Sequence, residues 1–284
     1  MNQWPALSSV AFNIHVLPHR VQALLEVLKT DTWFSAEDLL QNATILDQLH
    51  VARYVKETTR LMVEAGLVQR KPLKPGFLYQ LSDFGQLFCQ TLSTRPQLYA
   101  DIMHFLFFVL YEEQQRRSTT FSSWSWVYQS TCRLLWEVRP NVPTFSEQAA
   151  FLNHKLADEF PHYKGGVHTD APNTVVLWLS QMQPPFLHLE GRSRRTCGRQ
   201  WCSPELFVLG IDRLYRRESL SYNTPFLLSK KAWDELALLC LTEMTLLEEV
   251  FEVARSTFPF LKTHSGEWGR SVILEREITI ANIL

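Results

Sequence analysis

The chain has almost no net charge. Across 284 residues, 28 Lys and Arg stand against 29 Asp and Glu, a formal −1. A protein that coats nucleic acid through bulk electrostatics carries a large positive excess. That class is excluded, and any nucleic-acid site has to be a local patch on a near-neutral body. Long apolar runs are also missing. The longest, Ile102 to Tyr111, is interrupted by His104 and falls short of the roughly 20 residues needed to span a bilayer. It reads as a buried core helix, and no membrane partner is expected. No basic stretch followed by an apolar run and a small-residue cleavage site is present, so no secretory signal is expected. The five cysteines, Cys89, Cys132, Cys197, Cys202 and Cys240, are odd in number and scattered. This fits reduced thiols and a cytoplasmic location better than a disulfide framework. No P-loop, H-E-x-x-H motif or nucleophile elbow occurs, so neither an enzyme nor a cofactor is expected.

What is there is a chain rich enough to pack. Apolar residues make up 46% and aromatics 12%, enough buried surface to offset ordering entropy over most of the length. The size suits two domains or three small ones.

The first hundred residues carry the sharpest local signals. After Pro18, Val21, Leu24, Leu25 and Leu28 recur at helical spacing. Ser35, with Asp38 three residues on, has the form of a capping box opening a short second helix; a turn follows around Asn42 to Asp47. From Leu49 to Ala65, Val51, Tyr54, Val55, Leu61, Met62 and Ala65 mark the apolar side of a third helix. Gly66 can supply its left-handed C-terminal cap. Arg53, Lys56 and Arg60 share another face at i, i+3, i+7. Leu67 to Lys71 and Phe77 to Leu81 flank a Pro/Gly turn and read as a β-hairpin. Ser82 to Gly85 starts a further helix bearing Leu87, Phe88 and Leu92.

The run from Leu61 to Phe88, with Ala65-Gly66-Leu67-Val68 closing a helix and Tyr79, Leu81, Ser82 and Gly85 closing the hairpin, resembles the ending of winged helix-turn-helix domains. Ser82 stands where threonine is commoner. The resemblance covers about a quarter of the chain. It implies a winged helix over residues 1–92, with the third helix in the major groove of duplex DNA and the wing along the backbone or minor groove.

Beyond it, a buried helix is expected from Gln97 to Arg116, then a Ser/Thr stretch, then a Trp-rich helix over Trp124 to Val138. These form a linking region over 93–143, ended by Pro140 and Pro143. Residues 144–284 read as a C-terminal helical domain. Its helices begin near Thr144, Pro172, Pro204, Ser229 and Thr245, a short strand covers Phe186 to Leu189, and a terminal strand runs from Ser271 to Ile280. Helix, loop, helix and strand between 144 and 189 resemble a second, degenerate winged-helix-like unit. The fold class is mainly α with short β-hairpins. No long internal repeat is visible in the sequence.

Several residue groups are candidates for chemistry. Arg53, Lys56 and Arg60 with Arg70, Lys71 and Lys74 of the wing set six cations against Glu57 and Glu64. Arginine pairs bidentately with guanine edges, whereas lysine mostly meets phosphate. The bland alternative is a solvated face with ordinary helix ion pairs. Seven arginines, Arg192, Arg194, Arg195, Arg199, Arg213, Arg216 and Arg217, stand against two acids between 192 and 217. That density suits phosphate or an acidic partner, or a solvated loop. Cys197 and Cys202 are one pair separated by four residues. Zinc sites usually show two tighter pairs, so a metal is not expected. His154, His162 and His168 lie around Gly165-Gly166, which reads as a turn. Phe121, Trp124, Trp126, Tyr128 and Trp136 can stack bases, but at helical spacing they fill a core.

The function expected from these features is DNA binding, most simply by a transcriptional regulator reading double-stranded DNA through Arg53, Lys56 and Arg60. Single-stranded nucleic acid is a further possible partner, and the second domain would dimerise or bind a protein partner. The alternative is a non-catalytic subunit of a replication, transposition or defence complex, in which the winged helix docks protein as well as DNA.

Overall fold

The computed structural model describes residues 16–47, 52–116, 123–190, 193–266 and 269–284. It is mainly helical with small antiparallel sheets. The first unit comprises α1 (Pro18–Leu28), β1 (Phe34–Ser35), α2 (Ala36–Asp47), α3 (Ala52–Glu64), β2 (Val68–Pro72) and β3 (Phe77–Leu81). The three helices pack on one another. β1 and β2 both pair antiparallel to β3, in the order β1-β3-β2. The order is helix, short strand, two helices and a hairpin. α2 continues to Asp47, through the segment expected to turn at Asn42. The Asn42 amide donates to the Asp38 carbonyl at 2.8 Å, as a side chain inside a helix can. The capping box at its start is formed: the Asp38 carboxylate accepts from the Ser35 N–H at 2.9 Å, and the Ser35 hydroxyl accepts from the Asp38 N–H at 3.1 Å.

Two glycines decide how this unit closes. Gly66 has φ +76°, the left-handed region that ends α3 and turns the chain into β2. Gly85, in α4 (Asp83–Thr94), sits so near the preceding turn that a Cβ there would lie 2.0 Å from the Leu67 carbonyl oxygen. Ser82 ties both together. Its hydroxyl donates to the Gly66 carbonyl at 2.6 Å and accepts from the Gly85 N–H at 2.9 Å.

α5 (Pro96–Arg116) follows α4 and packs on it, on α6 (Ser123–Glu137) and on α9 (Pro204–Arg217). It is the internal spine. Asp101, Ile102, Met103, His104, Phe107 and Phe108 are all buried along it.

A similar element order then recurs twice, the first time with an isolated bridge in place of the short strand. In the second unit, α6, α7 (Phe145–Glu159) and α8 (Asp170–Ser180) pack mutually and lead into a hairpin, β4 (Leu187–Glu190) and β5 (Ser193–Thr196). Asn141, between α6 and α7, bridges antiparallel to Arg195 on β5, in the place that β1 occupies in the first unit. The segment holding Arg194 and Arg195, open to reading as a loop, is therefore a strand. Residue 143 lies inside this arrangement. α8 begins at Asp170, so Pro172 sits in its first turn, where a missing N–H costs no intrahelical bond.

The third unit repeats the order in full: α9, β6 (Phe226–Leu227), α10 (Lys230–Cys240), α11 (Met244–Thr257), β7 (Leu261–Gly266) and β8 (Gly269–Leu274). Its sheet order, β6-β8-β7, matches β1-β3-β2. Ser203 and Ser229 cap α9 and α10 with their hydroxyls. The terminal strand expected over 271–280 stops at Leu274. There Glu275 turns off the sheet, its N–H donating to the Phe260 carbonyl at 3.1 Å.

Buried apolar residues of all three units join in one core cluster. Trp124, Trp126 and Tyr128 are inside it, in edge-to-face contacts such as Phe107 on Trp124 at 6.0 Å. Phe121 lies outside the described residues. Among those described, no helix is long and apolar enough to cross a membrane.

Candidate nucleic-acid interface

In each unit one helix directly precedes the hairpin: α3, α8 and α11. The three units dress it differently. α3 buries Val55, Thr58, Thr59, Leu61 and Met62 and leaves Arg53, Lys56 and Arg60 exposed. The Arg53 Nε lies 2.7 Å from the Glu57 carboxylate and the Arg60 Nε 2.8 Å from Glu64. Both are i, i+4 pairs on an open surface, so each is weak and easily exchanged for an outside partner. The Glu57 carboxylate raises the Arg53 guanidinium pKa above its already high value. Lys56 has no ion pair among the described residues.

The wing is the more positive part. Arg70, Lys71 and Lys74 are exposed, and no carboxylate occurs between Val68 and Leu81. Arg70 lies over the Phe77 ring at 4.6 Å and Lys71 over Trp33 at 4.0 Å. These contacts rest each charged group on a ring face, while both residues stay exposed. At the tip, Leu73 and Phe77 are 42% and 39% exposed. α3 and β2 are packed together, and the six expected cations stand, all exposed, on α3, on β2 and on the turn after it.

The arginine cluster between 192 and 217 is not one surface, which corrects the expectation of a shared phosphate site. Arg199 is fully buried. Its guanidinium lies 2.7 Å from Asp101 and donates to the Pro184 and Gln183 carbonyls at 2.9 and 3.1 Å. It cannot meet nucleic acid. Arg213 is equally buried and makes a two-point contact with Glu112, at 2.7 and 2.6 Å. Burial alone would raise the Glu112 carboxyl, but Arg213 overrides it and holds Glu112 below the ordinary carboxylate range. Arg216 pairs with Glu113 and Asp212, and Arg217 with Glu235. Glu112 and Glu113 belong to α5, so Arg213 and Arg216 fasten α9 to the spine. Arg194 lies over the Phe145 ring at 3.9 Å. Arg195 is exposed on β5, and Arg192 lies outside the described residues.

Cys197 is exposed and Cys202 buried, so one faces solvent while the other faces the core beside Cys240. Among the described residues no group of three or more His, Cys, Asp or Glu could hold a metal ion. His154 and His168 are exposed beside Asp158 and Asp170, each at 3.1 Å.

Sequence reasoning missed α11 as the third unit's counterpart of α3. α11 exposes Glu248, Glu249 and Glu252, with Met244 and Val253 at 42% and 46% exposure. Glu252 is shared between Arg255 and Arg270, at 2.8 and 3.1 Å. In the second unit α8 is covered: Ala171, Pro172, Val175, Val176, Trp178 and Leu179 are all buried. Of these three helices, α3 alone offers an outward cationic face. The available clues were Phe226 with the cap Ser229, echoing Phe34 with Ser35, and Gly266 with Gly269 at a hairpin turn.

No protein-family model matches this chain, and no curated protein sequence does. A solved structure described as "SspB crystal structure" is similar over most of both lengths. It has a TM-score of 0.58 and 12% identity, and covers 96% of this chain and 85% of that one. At that identity the likeness concerns the fold alone.

Proposed function

We propose that this chain is a member of the winged helix-turn-helix superfamily that binds duplex DNA, most simply as a transcriptional regulator. α3 enters the major groove and the wing β2–β3 follows the backbone. The observation that carries the reading is the joint surface of Arg53, Lys56 and Arg60 with Arg70, Lys71 and Lys74, exposed on adjoining elements. Opposed to it, the remaining described arginines of the chain's middle are spent largely on internal ion pairs. Specificity would come from the two α3 arginines, and phosphate anchoring from the lysines. The test is fluorescence anisotropy with random and single-stranded DNA across a salt series. When Lys56, Lys71 and Lys74 become Ala, the slope of log affinity against log salt should fall by about 0.9 for each phosphate no longer neutralised. Wild-type protein that ignores both DNAs at low salt would count against the reading.

One observation favours a second reading, a non-catalytic subunit of a larger nucleic-acid complex. The exposed Leu73 and Phe77 at the wing tip, and Met244 and Val253 on α11, are apolar groups of the kind that dock protein. Co-purification of a stoichiometric partner, lost when Phe77 and Val253 become Ser, would favour it.

A further inference from the structure

A cleft of about 440 Å³ lies between the end of α4, the start of α5, the turn after α8 and the segment leading into α9. It is of the size that takes a small molecule. Thr94, Arg95, Gln97, Gln183, Trp201 and Ser203 are on its walls. Two of these side chains are open to solvent and chemically distinct. Trp201 is 40% exposed, and the Arg95 side chain 49%.

Both are held at the base and free at the end. The Arg95 Nη2 donates to the carboxylate of Glu205, a buried acid in the first turn of α9. Its Nε and Nη1 make no hydrogen bond or ion pair among the described residues. A guanidinium has five N–H donors, so one such pair orients Arg95 and leaves donors over for a second partner. Trp201 adjoins Cys202 and Ser203, which are buried, and the Ser203 N–H donates to the Asp101 carboxylate at 2.7 Å. The segment carrying Trp201 is thus anchored, while its ring stacks on no other ring among the described residues. An indole left in water gains when a flat ring covers it.

We infer that this cleft binds one nucleotide, with its base stacked on Trp201 and its phosphate accepting from the remaining N–H groups of Arg95. Every base has a face that stacks on an aromatic ring, and charge-assisted bonds from arginine to phosphate are strong ones. A ring without an anion leaves Arg95 unused. A bare anion leaves Trp201 in water and meets a charge that Glu205 already balances. A ligand carrying both groups gains from both. Gln97 and Gln183, exposed at the same cleft, have amides that donate and accept, as sugar hydroxyls and base edges require. The same chemistry is presented by a free nucleotide and by one unit of a single strand. The cleft uses neither α3 nor the wing, so binding there is independent of whether α3 meets duplex DNA.

Binding is measured by calorimetric titration of the full chain with no duplex DNA, so its outcome is separate from that of the DNA experiment. Deoxyadenosine monophosphate is compared with deoxyadenosine and with inorganic phosphate. The expected result is a Kd of about 1 mM or tighter for the nucleotide, and binding weaker by about tenfold or more for each of its parts. Trp201→Ala should weaken the nucleotide about tenfold or more, the worth of one stacked base. Arg95→Gln with Glu205→Gln removes the ion pair together, leaving no lone buried charge, and should bring the nucleotide down to the affinity of deoxyadenosine. Unchanged circular dichroism shows that this double variant is folded; if it is not, Trp201→Ala, a change at an exposed side chain, decides. A short oligodeoxyadenylate that binds tighter than the mononucleotide, by a margin lost in Trp201→Ala, identifies a single strand as the source; equal binding identifies the free nucleotide. The inference is overturned if the nucleotide fails to bind at about 10 mM, if deoxyadenosine or phosphate alone binds as well, or if Trp201→Ala binds the nucleotide as wild type does.

Discussion

The first and third units have the same element order and use their arginines in opposite ways. In the first, Arg53 and Arg60 stand on the outward helix in shallow i, i+4 pairs. In the third, Arg213 and Arg216 turn inward from α9 to carboxylates of the spine, and the outward helix α11 shows Glu248 and Glu249 instead. One topology thus serves as a surface in one copy and as an anchor in the other. Arginine content alone does not locate a binding face. What matters is which wall of the unit is covered by neighbours, because an arginine facing another element meets that element's carboxylates.

The comparison can be broken most severely at the anchor. Replacing Arg199 or Asp101 alone with Ala leaves its partner charged and buried, a change that typically costs about 3–5 kcal/mol. Urea unfolding should show that loss; a loss under about 1 kcal/mol would contradict the burial of the pair. A somewhat smaller effect is expected at His104, which joins α5 to α6 and α10. Burial pushes its pKa down to about 4 from 6.5, and neighbouring Arg199 adds to this against the opposing pull of the Leu239 carbonyl and Asp101. The unfolded chain takes up this proton as pH falls below about 6.5, whereas the folded chain does so only near 4. Stability should therefore fall across that window, by about 3 kcal/mol from this group in all. His104→Gln should flatten the slope of unfolding free energy against pH by one proton there.

Effects on binding come next. Changing Arg53, Lys56 and Arg60 together to Ala should weaken duplex DNA binding by about tenfold or more. Changing Glu248 and Glu249 to Ala should leave the affinity within about twofold of wild type, since α11 is not among the elements proposed to meet DNA and salt screens exposed charges. Equal losses from both variants, read by anisotropy, would dissolve the distinction between the two outward helices. The smallest effect is expected from Arg60→Ala alone on stability. Its thermal midpoint should match that of wild type, because an exposed pair with Glu64 contributes little.

How far the sequence could be read followed the range of the signals. The first unit announces itself locally: Ser35 with Asp38, Gly66 after α3, and Ser82 with Gly85 all act within four residues of their partners in sequence or across one hairpin. The helices of the third unit were equally visible through Ser203 and Ser229. Its relation to the first was not, because α11 ends at Phe258 without the glycine that closes α3. The burial of Arg199 was illegible for a different reason. Its partner Asp101 lies on a helix far upstream, and nothing around Arg199 distinguishes it from the exposed Arg195. α2 ran past its expected end because Asn42, a turn former by habit, bonded back to the Asp38 carbonyl.

The wing has a second consequence, for the solution behaviour of the chain. β2 is the outer strand of the first sheet, and an open strand edge invites pairing with another molecule. Here that edge carries Arg70, Lys71 and Pro72 in succession. Two like charges repel an identical strand laid alongside, and proline offers it no N–H. The cations proposed to meet phosphate also guard the chain against aggregation through its own wing, so a version neutralised there would lose solubility as well as grip.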